Sequence, residues 1–319
     1  MTRLARQHRS REERRGREDP RPAEPAVTLG SRLKELATII GPTTVITALM
    51  VYFGLVATRA RFAYFGVYLD LTDLSNQDLV LYGLEALYVP VALVFVAMLA
   101  AVVVHLGVSW LLGSPTRRGI CLVIAAAVAL VGVLLLARAL IGILVPGVAQ
   151  RERPGSTPLA LAVGPLLAAY AGWIAARCLV SQDAGQARFT AWYGTDRVVR
   201  LRRLGAAATA GLVLAGLFWA TNSFAWAFGE GRAYDDALKL PRQPEVVLDT
   251  EESLGELPDG VSEAVLSTEE DASFRYRYRG LRLLLEGGGR LFLVPGHWVE
   301  GSRTLVIPYD TSVRLQLDP

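Results

Sequence analysis

The chain alternates long apolar runs with short charged segments. Five runs have membrane length, at residues 36–58, 86–112, 119–148, 158–180 and 204–228. Since a helix rises about 1.5 Å per residue, each run can cross the roughly 30 Å hydrocarbon core of a bilayer. The pattern predicts a transmembrane domain of five α-helices over residues 36–228.

The charged segments between these runs predict an orientation. Segments on one side, at 1–35, 117–118 and 177–203, hold 10, 2 and 6 Lys+Arg, whereas those on the other, at 59–85 and 151–154, hold 2 and 2. Arginine and lysine accumulate on the cytoplasmic side of membrane proteins. We therefore expect a plasma-membrane protein with a cytoplasmic amino terminus and an extracytoplasmic carboxyl terminus.

The segment before the first run, residues 1–35, is rich in Arg, Glu and Pro and has almost no apolar periodicity. Such a segment cannot bury enough surface to offset its ordering entropy. It is interpreted as a disordered basic cytoplasmic arm. An electrostatic clamp on anionic lipid headgroups is the functional alternative.

The tail, residues 229–319, holds 10 Lys+Arg against 17 Asp+Glu and has strand-like alternation. A change of apolar parity after Gly280 indicates a bulge, and residues 287–289, all glycine, indicate a hairpin turn. Strands are predicted at 245–248, 261–266, 274–285, 291–294, 304–309 and 313–317. The fold class is thus a five-span helical bundle with a small C-terminal all-β extracytoplasmic domain, closed as a sandwich or partial barrel.

The first external loop, residues 59–85, is too polar to span but contains several aromatic residues, which are typical of the headgroup level. Ser75 followed by Asp78 matches a capping box. A helix is therefore expected to begin there and to lie along the surface or run directly into the second span. Whether the rest of the loop is interfacial or contacts the β-domain stays open.

Two polar side chains lie inside apolar runs. Arg138 is about 28 Å along a helix from the cytoplasmic end of its span, so it is expected near the outer interface, where it can snorkel or pair with Asp70, Asp73, Asp78 or Glu85. A substrate or ion site is the alternative. His105 lies about 10 Å deep and is interpreted as a hydrogen-bonded packing residue, since a proton relay has too few members in this sequence.

Small residues recur at four-residue spacing in the fourth and fifth runs: Gly164, Ala168, Gly172, Ala207, Gly211 and Ala215. Such stripes allow helix backbones to approach closely in lipid. They predict a packing seam between the fourth and fifth helices, with a homodimer surface as the alternative.

Arg275, Arg277 and Arg279 alternate with aromatic residues and so share one face of a strand. They are expected to form a solvated strand face paired with acidic neighbours such as Glu263 or residues 269–271. Contact with an anionic envelope component is the functional alternative.

Motifs of common catalytic and nucleotide sites do not occur: the sequence contains no G-x-S-x-G, H-E-x-x-H, C-x-x-C or Walker pattern. We expect no enzymatic activity, no cofactor, no metal site and no nucleic-acid partner. The two cysteines, Cys121 and Cys178, are interpreted as small buried apolar residues near the cytoplasmic ends of spans.

Two sequence segments resemble segments of a known group of proteins. One is Tyr64-Phe65-Gly66 followed by Asp78 and Pro90; the other is the run 278–284, YRGLRLL, followed by FLVP at 292–295. Both resemble uncharacterised multi-pass membrane proteins of actinobacteria. The resemblance implies a bacterial plasma-membrane location and no known activity.

The leading functional interpretation is an integral membrane protein whose exported β-domain senses or binds an envelope component or a partner. The alternative is a transporter or permease-associated subunit, with substrate passing along the bundle. Transport of a polar solute needs several polar groups at the midplane. The spans offer mainly Thr43, Thr44, Thr47, Thr221 and Asn222, which favours the first interpretation. The expected partner of the helices is the lipid bilayer. The sequence also leaves open that the protein forms a homo-oligomer.

Overall fold

A computed structural model of the chain describes residues 29–145, 147–148, 152–180, 196–267, 273–299 and 301–319. The chain divides into two compact units, Met1–Thr47 and Ala48–Pro319. In the first unit the described residues, 29–47, are helical. Most of the predicted basic arm lies outside the described residues.

Within the described residues five helices are long and apolar enough to cross a membrane. They are α1 (Leu29–Tyr64), α2 (Asn76–Leu112), α3 (Arg118–Leu144), α4 (Ser156–Val180) and α5 (Asp196–Lys239). Large apolar side chains of α2 are exposed all along the helix, for example Phe95 at 65% and Leu99 at 67%. Such exposure is typical of helices whose solvent is lipid. The five predicted helices are confirmed, while membrane insertion and orientation stay predictions.

Two helices extend well beyond their predicted spans at the end of the bundle that leads into the tail. α2 begins at Asn76 because Ser75 and Asp78 form the predicted capping box, in which each side chain accepts a hydrogen bond from the other residue's backbone N–H. α5 continues from the predicted end, Phe228, to Lys239, and Pro241 lies in the 3₁₀ turn that follows it. The predicted start of the β-domain at 229 is therefore too early, since β1 begins at Glu245.

The helices of the second unit pack through small residues and glycine contacts. α1 and α2 approach so closely that a Cβ atom on Gly83 would lie 1.8 Å from the backbone oxygen of Met50. Near the end of the bundle away from the sheet, Cys121 and Cys178 are buried in a cluster with Ala125 and Ile174. No disulfide joins the two cysteines. The interpretation of both cysteines as buried apolar residues is confirmed.

The tail forms a sheet of six antiparallel strands in the order β5-β4-β3-β1-β6, with β2 paired to the first half of β3. The strands are β1 (Glu245–Thr250), β2 (Ser262–Val265), β3 (Tyr276–Gly287), β4 (Arg290–Pro295), β5 (Leu305–Pro308) and β6 (Val313–Asp318). All six correspond to predicted strands. The expected sandwich is wrong, because all six strands belong to one sheet and helix and loop residues, rather than a second sheet, cover one of its faces. The partial barrel stays a prediction.

Two glycine positions shape the sheet as the sequence predicts. Leu248 pairs with Tyr278 whereas Val246 pairs with Leu281, so β3 has one extra residue at Gly280, a β-bulge. Gly280 has φ +88°, and a Cβ atom there would lie 2.2 Å from the oxygen of Gly260. Gly288 and Gly289 both have positive φ and close the predicted hairpin between β3 and β4.

Candidate functional site

The sheet is packed directly on the ends of two helices, at a contact we call the junction. Its buried residues come from the end of α1 and the following loop, from the extension of α5, and from β4: Phe62, Phe65, Val67, Ala233, Leu240, Phe292 and Val294. Phe292 and Val294 have no exposed surface. Aromatic residues of the segment 59–85 therefore belong in part to the contact with the β-domain, one of the two roles that the sequence left open.

Polar contacts also cross the junction. Thr304 donates its hydroxyl proton to the backbone oxygen of Phe65 at 2.5 Å, and Arg282 Nε donates to the backbone oxygen of Leu240 at 3.1 Å. Phe65 and Trp298 meet edge to face with ring centroids 5.0 Å apart. The β3–β4 hairpin comes closest to the loop, since a Cβ atom on Gly287 would lie 2.2 Å from the oxygen of Thr72.

Two ion pairs join α5 to α1 and α2 next to the junction. Arg61 on α1 lies 2.6 Å from Asp236, and Arg232 lies 2.6 Å from Glu85 on α2. The hydroxyl of Thr58 is buried between them, without a hydrogen-bond partner among the described residues. It lines a cavity of about 20 Å³, a size that accommodates one water molecule. The extension of α5 therefore contacts α1 and α2 through ion pairs and contacts the sheet through apolar side chains.

Arg138 lies near the sheet end of α3, but its predicted partners are wrong. Its Nη1 atom donates to Glu152 at 2.6 Å, in the short connection to α4, rather than to the acids of the loop between α1 and α2 or to Glu85. Glu152 also accepts from Thr157 at 2.9 Å and from Ser156 at 3.1 Å. The bond from Arg138, then that from Thr157, lowers the pKa of Glu152 to about 2. This pair was hard to predict, because Glu152 lies between two arginines in the sequence.

We expect Glu152→Gln to remove part of the acid sensitivity of the helical bundle. The ordinary pKa of Glu152 is 4.5 and its folded value is about 2. Between these values the unfolded chain binds more protons, so stability present above pH 4.5 is lost as the pH falls toward 2. Melting temperatures of both proteins measured from pH 5 to pH 3 should show the shallower slope in the variant. Equal slopes would mean that this pair does not contribute.

His105 has the contacts of a packing histidine. Its Nδ1 atom lies 3.4 Å from the hydroxyl of Tyr170, its Nε2 atom lies 3.5 Å from that of Ser109, and its ring centroid is 4.9 Å from that of Trp173. All of these partners are uncharged. The arrangement agrees with the predicted hydrogen-bonded packing role.

The predicted seam between α4 and α5 is wrong in its partners. Gly164 and Ala168 face α3, because Cβ atoms on Gly164 and on Gly132 of α3 would each lie within about 3 Å of the other helix's backbone. A four-residue spacing indicates which residues share a face, not which neighbour that face meets. The other seam residues do not serve as predicted: Cβ atoms at Gly172 and Gly211 would meet nothing within 4 Å, and Ala207 and Ala215 are exposed. The homodimer alternative for that face of α5 stays a prediction.

The central residue of the arginine row on β3 is bound by an acid that the sequence did not single out. Arg277 Nε donates to Asp249 of β1 at 2.7 Å, and Arg314 Nε of β6 donates to the same carboxylate at 3.0 Å. The side chain of Asp249 is 1% exposed. The Arg277 hydrogen bond, and then that from Arg314, lowers the pKa of Asp249, against the effect of burial. We call these three residues the Asp249 triad.

The acidic neighbours predicted for this row are wrong where the structure describes them. Glu263 accepts instead from the hydroxyl of Tyr278 at 2.6 Å, and residues 269–271 lie outside the described residues. Asp249 was missed because the predicted strand ended one residue before it. Of the other two arginines, Arg275 donates to the backbone oxygen of Glu251, and Arg279 is exposed.

Comparison with protein-family models, curated proteins and solved structures gives no match for this chain. The resemblance to multi-pass membrane proteins of actinobacteria stays a prediction.

Proposed function

We propose that this protein is an integral plasma-membrane protein whose extracytoplasmic sheet senses or binds an envelope component or a partner. The observation that carries the proposal is the junction, where β4 is buried against the ends of α1 and α5. A sheet that served only as a tethered domain would need no such packing. Because close-packed contacts resist gradual deformation, a displacement of the sheet on binding would be transmitted to both helices.

The surface best suited to contact lies on the face that carries the Asp249 triad. Arg275, Arg277, Arg279 and Arg314 share this face with the buried carboxylate of Asp249. The Arg314 guanidinium also lies 4.8 Å from the ring centroid of Phe274. Arginine beside an aromatic ring is a common arrangement for binding anionic groups. The favoured ligand class is therefore an anionic headgroup or polymer of the cell envelope.

Transport of a polar solute has weaker support. Of the midplane polar residues, Asn222 accepts a hydrogen bond from the hydroxyl of Tyr52 at 3.1 Å, and Thr221 donates to the oxygen of Leu217 in its own helix at 2.9 Å. Both side chains are thus engaged within the bundle. Their contacts favour a packing role over a path for substrate.

The contact role can be tested with a photoreactive amino acid placed at Arg279 in the full-length protein in intact cells. We expect an adduct with an envelope component at this exposed position. The control position is Glu256, which is 86% exposed and lies in the loop that covers the opposite face of the sheet. Adducts at both positions to the same extent, or at neither, would contradict the proposal.

A further inference from the structure

A large cleft separates α4 and α5 at the end of the bundle away from the sheet. The two helices touch at Gly216, where a Cβ atom would lie 2.6 Å from the backbone nitrogen of Ala162 and 2.8 Å from the oxygen of Pro158. Beyond this contact they diverge, and the cleft between them has a volume of about 1450 Å³. Ordinary small-molecule pockets measure roughly 300–1,000 Å³. The occupant of this cleft should be larger than a typical small ligand.

The length of the cleft matches one leaflet of a bilayer. Its lining runs from Val199 to Leu214 on α5 and from Leu166 to Arg177 on α4. At 1.5 Å per residue these segments are about 22 Å and 17 Å long. One leaflet is about 15 Å thick in its hydrocarbon part and about 20–22 Å thick with its headgroups. A molecule that extends along the whole cleft therefore has the length of a single lipid rather than of a bilayer.

The chemistry of the lining changes from one end to the other. Most of its length is small and apolar, with Ala169, Gly172 and Ala206 as examples, and a Cβ atom on Gly172 or Gly205 would meet nothing within 4 Å. One end holds three arginines, Arg177, Arg202 and Arg203, and no acidic residue lines the cleft in the described part of the chain. The Arg177 guanidinium lies 5.5 Å from the ring centroid of Trp173, a residue type common at the headgroup level.

From this geometry we propose that the cleft binds one anionic glycerophospholipid of the leaflet that the arginines face. The acyl chains lie along the apolar walls, and the phosphate lies between Arg177 and Arg203, whose guanidinium groups are suited to phosphate. The site is distinct from the surface of the sheet proposed above. Its test does not depend on what that sheet binds.

The test is native mass spectrometry of the full-length protein in detergent, titrated with phosphatidylglycerol or phosphatidylcholine of identical acyl chains. We expect a single lipid adduct and a clear preference for phosphatidylglycerol. The double variant R177Q/R203Q should lower the affinity for phosphatidylglycerol about thirtyfold, as expected for two arginines near a lipid surface. The control R200Q removes an exposed arginine of the same helix that does not line the cleft, and its affinity should be unchanged.

A second pair of variants tests the apolar part. Ala206→Leu should narrow the cleft and reduce the adducts of both lipids, whereas Gly211→Leu, on the same helix but outside the lining, should leave them unchanged. Equal retention of both lipids, an equal loss in R200Q, or full retention in Ala206→Leu would overturn the proposal. So would lipid-free protein, which would mean that something other than lipid, such as a second copy of the chain, fills the cleft.

Discussion

Replacement of Asp249 by alanine is expected to lower the free energy of unfolding by about 3 kcal/mol. The side chain of Asp249 is 1% exposed, and its removal leaves Arg277 and Arg314 without their shared carboxylate. Removing one partner of a buried ion pair is strongly destabilising, and the value lies at the low end here because both arginines are partly exposed. Urea unfolding of the full-length protein in detergent, followed by tryptophan fluorescence, measures the change.

The matched control is Glu256→Ala. Glu256 pairs with Arg303, but the two side chains are 86% and 71% exposed. An exposed pair contributes at most about 1 kcal/mol, so this variant should unfold almost like the original protein. Losses of the same size in the two variants would contradict the structural role of the Asp249 triad.

The triad also predicts a pH dependence. The pKa of Asp249 is lowered in the folded protein, chiefly by the hydrogen bond from Arg277, so its stabilisation is present above the unfolded pKa of 3.8 and is lost as the pH falls below it. The variant lacks this group and should lose less stability between neutral pH and pH 3 than the original protein does.

Gly229→Ala is expected to destabilise the protein by about 2 kcal/mol, as overpacking does. A Cβ atom at Gly229 would lie 2.1 Å from the backbone oxygen of Ala57 on α1, so α5 would have to move away from α1 next to the junction. Thermal unfolding of the full-length protein measures the loss. We also expect faster proteolysis of the sheet, whose position depends on α5.

Gly231→Ala is the control two residues further along the same helix. A Cβ atom there would meet nothing within 4 Å, and alanine is favoured over glycine in a helix by about 1 kcal/mol. This variant should therefore be more stable than the original protein. The opposite signs of the two effects separate the contact with α1 from helix propensity, and a stabilising Gly229→Ala would contradict the observed packing.

The helices and strands of this fold could be predicted from the sequence because each depends on a local pattern of residues. Apolar runs of membrane length predicted the five helices, and the parity change at Gly280 predicted the bulge in β3. The capping box at Ser75 predicted where α2 begins. In each case the determining residues are neighbours in the chain.

The junction could not be read in the same way. Phe62 and Phe65 are aromatic residues of the kind expected at the headgroup level of a membrane. Aromatic side chains also pack well against a β-sheet, as these two do. The extension of α5 has a polar face toward α1 and α2 and a narrow apolar face toward the sheet, formed by Ala233 and Ala237 and continued by Leu240 of the following 3₁₀ turn. Which surface covers such a face is a tertiary property.

The sequence also did not predict which residues Arg138, Gly164 and Ala168 contact. Arg138 lies near the end of α3, and its acid is the nearby Glu152 rather than one of the loop acids. Gly164 and Ala168 were recognised as a packing stripe, but they meet α3. Spacing identifies a face or a depth, and the partner depends on how the helices are arranged around it.

The extracytoplasmic location of the sheet is tested most directly by finding on which side of the membrane the sheet lies. With the buried Cys121 and Cys178 replaced by alanine, single cysteines are introduced at the exposed positions Gln316, on β6, and Arg200, on α5. Intact protoplasts are then treated with a membrane-impermeant maleimide. We expect labelling of Gln316→Cys in intact protoplasts, and of Arg200→Cys only after permeabilisation; the reverse pattern would contradict the proposed function.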